Sequence, residues 1–231
     1  MRASRVGIAI GLIAAAAAAS SGGAPPLAMQ GAAATPDSAA TGTPAGAGNA
    51  PPAGFTRVDR KLTYTKLENR LTLREPFNAA KGKVRVVSFL SPTCPRCQAA
   101  VADIQRHFLA KNPSDDFRLF AVWLPATDAD TEESLLTAMQ LIPDPRVQHY
   151  WDVDRVLNAQ LLDAVAFEIQ MRIFDLHLLY DRETMWEKRL PRPGYFLHEV
   201  KGLSGPPWSI QAFVLEVEQA LKHEPFSSMS R

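Results

Sequence analysis

Residues Val84 to Leu90 (VRVVSFL) form a short, mostly apolar, β-branched run. Such a run fills a central strand covered on both faces, so helices must lie on either side of it. The turn Ser91-Pro92-Thr93 ends the strand. Pro95 suits the first turn of a helix, and Val101, Ile104, Phe108 and Leu109 then recur at helical spacing on one face. Cys94 and Cys97 therefore fall at a strand-to-helix junction.

The same alternation continues downstream. Phe117 to Leu124 (FRLFAVWL) reads as a second strand ending at Pro125, and Asp130 or Thr131 can cap a helix running to about Leu141. Val147 to Trp151 gives a further short strand, and Val156, Leu157, Gln160, Leu161 and Val165 another helix. Phe174 to Tyr180 is the third strong strand; after the turn Asp181-Arg182-Glu183, Met185 to Leu190 is expected to return beside it as a hairpin. Ile210, Phe213, Val214, Val217 and Leu221 make the apolar stripe of a closing helix. Trp123, Trp151, Trp186 and Trp208 read as packing residues.

Arg2 and Arg5 precede an uncharged run, Val6 to Ala19, of signal-peptide length, so residues 1–19 are expected to direct export, with an uncleaved anchor as the alternative. Residues 20–55 are Ala, Gly, Pro, Ser and Thr with almost no large apolar side chain, and read as a linker. The folded domain is expected over 56–225 and a flexible tail over 226–231. An extracytoplasmic, periplasmic setting is expected from the leader, with no membrane span in the mature chain.

Lys and Arg total 25 against 24 Asp and Glu, which leaves no field to hold a nucleic-acid backbone. Two cysteines are too few for a disulfide scaffold or a four-ligand structural zinc site. They act as one chemical unit.

The segment VVSFLSPTCPRCQAAVADIQ, with the element order around it, resembles the thioredoxin superfamily over roughly residues 60–225. The resemblance implies an α/β three-layer sandwich, a central mixed sheet flanked by helices. The spacing is similar to the exported branch with a small insertion before the third core strand, where Asp152-Val153-Asp154 and LHLLYD stand at that branch's aspartate-containing turn and Asp-ended strand. It implies a thiol-disulfide oxidoreductase acting on protein thiols or disulfides, with no cofactor beyond its redox-active disulfide. Cys94 would attack, Cys97 resolve, and Pro95 and Arg96 stabilise the thiolate. One departure stands out: the family carries a cis-proline before the third core strand, whereas no proline occurs between Pro145 and Pro191 and Asp175 falls near that position. On a buried register Asp175 could accept a proton; a solvent-facing position is the alternative.

A thiolate at a helix N-terminus faces unpaired N–H groups and the positive end of the macrodipole, so Cys94 should be acidified. Three other readings remain: a permanent disulfide, a non-catalytic interaction module, and a copper or zinc carrier in which Cys94 and Cys97 are joined by His177 or, next, His149.

Overall fold

The computed structural model describes residues 61–165 and 173–227. The expected leader and linker, 1–19 and 20–55, and residues 228–231 of the expected tail, lie outside the described residues.

Among the described residues six strands and five helices follow in the order β1 (Tyr64–Lys66), α1 (Leu71–Ala79), β2 (Val84–Leu90), α2 (Pro95–Asp103), β3 (Phe117–Trp123), α3 (Glu132–Met139), β4 (Val147–Trp151), α4 (Asn158–Ala164), β5 (Leu176–Tyr180), β6 (Tyr195–His198) and α5 (Ile210–Leu221). α2 continues as a π-helical turn over Ile104–Leu109. The sheet order is β1-β4-β3-β2-β5-β6. β1, β4, β3 and β2 are parallel, whereas β5 runs antiparallel to β2 and β6 antiparallel to β5.

Handedness explains the layers. Going from β2 to β3 to β4 the chain steps one way across the sheet, and right-handed crossovers put α2 and α3 on one face. The step from β1 to β2 runs the other way, so α1 falls on the opposite face. Accordingly Val101 and Ile104, Leu135 and Met139, and Phe213 and Val217 of α5 share one core. Leu73 and Phe77 of α1 share the second with Leu161 of α4. All seven residues of β2 are buried, as its apolar run requires. The one charge in it, Arg85, is fully buried, lies 4.4 Å over the Phe77 ring and donates to the Phe77 and Asp181 carbonyls. The four tryptophans differ in depth: Trp123 and Trp186 are fully buried, Trp151 is buried near the sheet edge, and Trp208 is only partly buried.

Two sequence expectations are corrected. Met185 to Leu190 forms no strand; the partner of β5 is β6, five residues further on. The reason is Trp186, whose buried ring meets Phe77 at 5.9 Å while its backbone N–H and C=O are both taken by the Asn78 side chain. The segment is tied to α1 and has no N–H left at that point for a ladder. The expected tail also begins too early. Phe226 packs against the core that holds α5, and the Ser227 N–H donates to Glu216 at 2.9 Å. β1 and α1 lay within the expected domain but were not foreseen as elements, since YTK is short and polar and Pro76 sits inside α1.

Candidate active site

The site begins where β2 delivers its chain to α2. Cys94 is the helix N-cap in extended conformation, and its Sγ accepts the Cys97 backbone N–H at 3.3 Å. This is the role an N-cap oxygen ordinarily plays, here given to sulfur. Pro95 occupies the first helical position, where its missing N–H costs nothing. Both cysteines are free thiols; Cys94 is partly exposed and Cys97 fully buried.

These positions split the two acidities. A hydrogen bond with the Cys97 thiol, reinforced by the backbone N–H groups of Cys97 and Arg96, outweighs burial and lowers Cys94 to about 6. The same hydrogen bond, with burial added, raises Cys97. Cys94 is therefore the thiolate and Cys97 the thiol near neutral pH. Stabilisation of the reduced fold by the Cys94 thiolate is complete above the free-thiol value of about 8.5. It is lost as pH falls through about 6.

Asp175 stands at the start of β5 and takes the buried alternative: it is 1% exposed. Its carboxylate and the two sulfurs lie within 4.8 Å of one another. Its backbone is left-handed, with φ 63°, a conformation Asp tolerates better than most residues. The Asp175 N–H donates to Phe89 O at 2.7 Å and its C=O accepts from Glu199 N at 3.0 Å, which ties it to the ends of β2 and β6. No cis peptide occurs among the described residues. Neither carboxylate oxygen receives a hydrogen bond, although Oδ2 lies 3.3 Å from Arg96 Nε in an ion pair. Burial raises Asp175, Arg96 opposes the rise and Glu199 adds to it. Arg96 thus contributes a backbone N–H to the Cys94 thiolate and its guanidinium to Asp175.

The histidines do not join the cysteines. Among the described residues the only trio of metal-capable side chains within 4.8 Å is Cys94, Cys97 and Asp175. His177 is fully buried on β5, with Nδ1 2.8 Å from Ser88 Oγ and its ring 4.3 Å from that of Trp208. His149 accepts the Trp123 indole N–H at 3.2 Å. Burial lowers His177 to about 3 and His149 to about 4, so both stay neutral. The carrier arrangement with His177 or His149 is corrected on geometry, since it is Asp175 and neither imidazole that lies with the two sulfurs.

One positioning residue escaped the sequence. Asp130 does not cap α3; Thr131 does, in a reciprocal capping box with Ser134. The buried Asp130 carboxylate instead accepts from Ser91 Oγ, Thr93 N and Thr93 Oγ1 on the turn before Cys94, and from Ala126 N and Thr127 N on the loop after β3. Burial pushes Asp130 up, but these donors outweigh it and the carboxyl lies below its usual value. Nothing in the local sequence marks this span, because its partners lie up to 39 residues away.

The Asp175 charge raises both thiols. Asp175→Asn, which keeps shape and tolerates the left-handed backbone, should therefore move the pH of half-maximal alkylation of Cys94 below about 6. An unchanged midpoint would mean that the carboxyl is uncharged where Cys94 ionises.

Sheet order and strand directions, with the Cys-x-x-Cys pair at the N-terminus of α2, are those of a thioredoxin-like α/β fold. No family model and no curated protein matches the chain. It is similar to the solved structure of a secreted disulfide oxidoreductase from Mycobacterium tuberculosis, with 16% identity and a TM-score of 0.37 over 61% of this chain and 84% of that one. It is also similar to a thioredoxin-family thiol:disulfide interchange protein from Chlorobium tepidum, at 15% identity and TM-score 0.40 over 62% and 83% of the two chains. A third likeness is the exposed lipoprotein thioredoxin of Streptococcus pneumoniae, at 17% identity and TM-score 0.38 over 61% and 87%. No described helix is long and apolar enough to cross a membrane.

Proposed function

We propose that this protein is an extracytoplasmic thiol-disulfide oxidoreductase acting on protein thiols or disulfides. The observation that carries it is the asymmetry of the pair: a partly exposed Cys94 sulfur held at a helix N-terminus and lowered to about 6, above a buried Cys97 whose thiol is raised. In the reducing direction the Cys94 thiolate attacks one sulfur of a substrate disulfide, forming a mixed disulfide and releasing the first substrate thiolate. Cys97 then gives its proton to Asp175 and attacks Cys94 Sγ. The second substrate thiolate leaves, the Cys94–Cys97 disulfide closes, and two electrons have passed to the substrate. Oxidation of a substrate dithiol is the reverse sequence. A carboxyl raised by burial and within 4.8 Å of the Cys97 sulfur fits the proton acceptor.

The extracytoplasmic part of the proposal is supported by Arg2, Arg5 and the uncharged Val6 to Ala19 run. In glutathione buffer the full chain should accelerate reduction or formation of a protein disulfide in proportion to its concentration. A rate equal to that of glutathione alone contradicts the reading.

A further inference from the structure

Reduced Cys94 and Cys97 do not face a histidine but a third donor of a different kind, and that donor is short of partners. Asp175 has a side chain only 2% exposed, both of its oxygens lack a hydrogen bond, and one of them lies within 4.8 Å of each sulfur. Burying a carboxylate so poorly satisfied is costly unless a cation meets it. Arg96 meets it from one side only, through Nε at 3.3 Å.

We propose that the reduced site binds Zn2+ through Cys94 Sγ, Cys97 Sγ and a carboxylate oxygen of Asp175. Zn–S distances of about 2.3 Å and Zn–O of about 2.0–2.2 Å place tetrahedral ligand atoms roughly 3.5–3.8 Å apart. Small rotations of side chains already within 4.8 Å reach that arrangement. Three protein ligands leave the fourth position to water or an external thiolate, the pattern of open zinc sites. The carboxylate selects among metals: two thiolates alone suit Cu(I), whereas two thiolates with a hard oxygen suit Zn2+. Two thiolates, a carboxylate and the ion sum to one negative charge, and the Arg96 guanidinium beside Asp175 offsets it.

Binding changes no oxidation state. Zn2+ displaces the Cys97 thiol proton to solvent, and that of Cys94 at pH values where it is still held. Zinc engages the sulfur lone pairs and slows their attack on a disulfide, so the metal holds the pair reduced; when the pair passes two electrons to a substrate disulfide, whose two sulfurs leave as thiols, the Cys94–Cys97 disulfide closes, two ligands are lost and the ion is released. The inference needs the pair to exist as a free dithiol but not to turn over, so exchange assays on metal-free protein and zinc titrations can fail independently.

The test titrates Zn2+ alone into the full chain, reduced and then freed of reductant without air, against a chromophoric chelator. One ion per chain should bind the reduced protein and none the disulfide form, a comparison that needs no variant. Loss of groups that merely support a metal ligand already costs about 10–100-fold. Asp175→Asn should accordingly weaken binding by about 100-fold or more. Co2+ in place of Zn2+ should give thiolate-to-metal charge-transfer bands with tetrahedral ligand-field absorption, altered in Asp175→Asn. Equal affinity in Asp175→Asn, or binding by the wild type no tighter than by Cys97→Ala, overturns the proposal.

Discussion

Cys94→Ser is expected to lower disulfide exchange at least about a thousandfold, since removing the nucleophile removes the pathway rather than a part of its stabilisation. Cys97→Ser should behave differently. It keeps the Cys94 sulfur, the backbone N–H that sulfur accepts and the helix N-terminus behind it. The first attack therefore still occurs, while the resolving attack does not. A mixed disulfide with substrate should accumulate and be visible as a band that disappears under reductant. The two variants separate attacker from resolver, which equal exposure of the thiols would not do; Cys97 is fully buried and Cys94 is not. Accumulation in Cys94→Ser instead, with none in Cys97→Ser, would reverse the assignment.

Asp130→Ala should destabilise the fold by about 3–4 kcal/mol, near the upper end for a single polar substitution. The carboxylate is the shared acceptor of three donors on the Ser91–Thr93 turn and of the Ala126 and Thr127 N–H groups. Its loss removes the acceptor of the buried Ser91 hydroxyl and of the part-buried Thr93 and Thr127 donors, and each unmade buried bond costs about 1–3 kcal/mol, offset where water enters the cavity. The turn carries Cys94 directly, whose own N–H donates to Ser91 O at 3.2 Å. Alkylation of Cys94 should consequently lose part of its acid shift in the same variant. Asp130→Asn, which retains one carbonyl acceptor, should recover roughly half of the stability. A loss under about 1 kcal/mol in urea unfolding would contradict this role. The pH dependence has a definite sign. A carboxyl held below its ordinary value stabilises fully above the unfolded pKa of about 3.9, and that contribution fades only as pH falls below it.

How much of this was legible in the chain depends on the range of the interaction. The β2–cysteine–α2 unit was legible because each part of it is local: an apolar β-branched run, a turn, Pro95 at the first helical position and a helical stripe. β3, β4, β5 and α5 follow from the same short-range periods. β6 was misplaced because Met185 to Leu190 and Tyr195 to His198 both carry strand-like apolar residues, and the choice is made 108 residues away by Asn78. Asp130 looked like a cap because it precedes a helix; only the fold brings Ser91 and Thr93 to it. The sequence places Asp175 near the family's cis-proline position, yet its burial and left-handed backbone go with the pairing of its N–H and C=O with Phe89 and Glu199. For the metal alternative, the structure sets Asp175, not His177 or His149, beside the two sulfurs. His177 shares β5 with Asp175's neighbours, but its ring is committed to Ser88 and Trp208.

Equilibrating the metal-free full chain with glutathione redox buffers, and reading the reduced fraction by thiol alkylation, gives the potential of the Cys94–Cys97 pair. Because thiolate stabilisation at Cys94 favours the reduced form, the potential should lie between roughly −270 and −120 mV, the span of exchanging thioredoxin-like pairs. A value below about −300 mV would mark a structural disulfide that the cellular thiol pool does not open, and would contradict the assignment of this site to disulfide exchange.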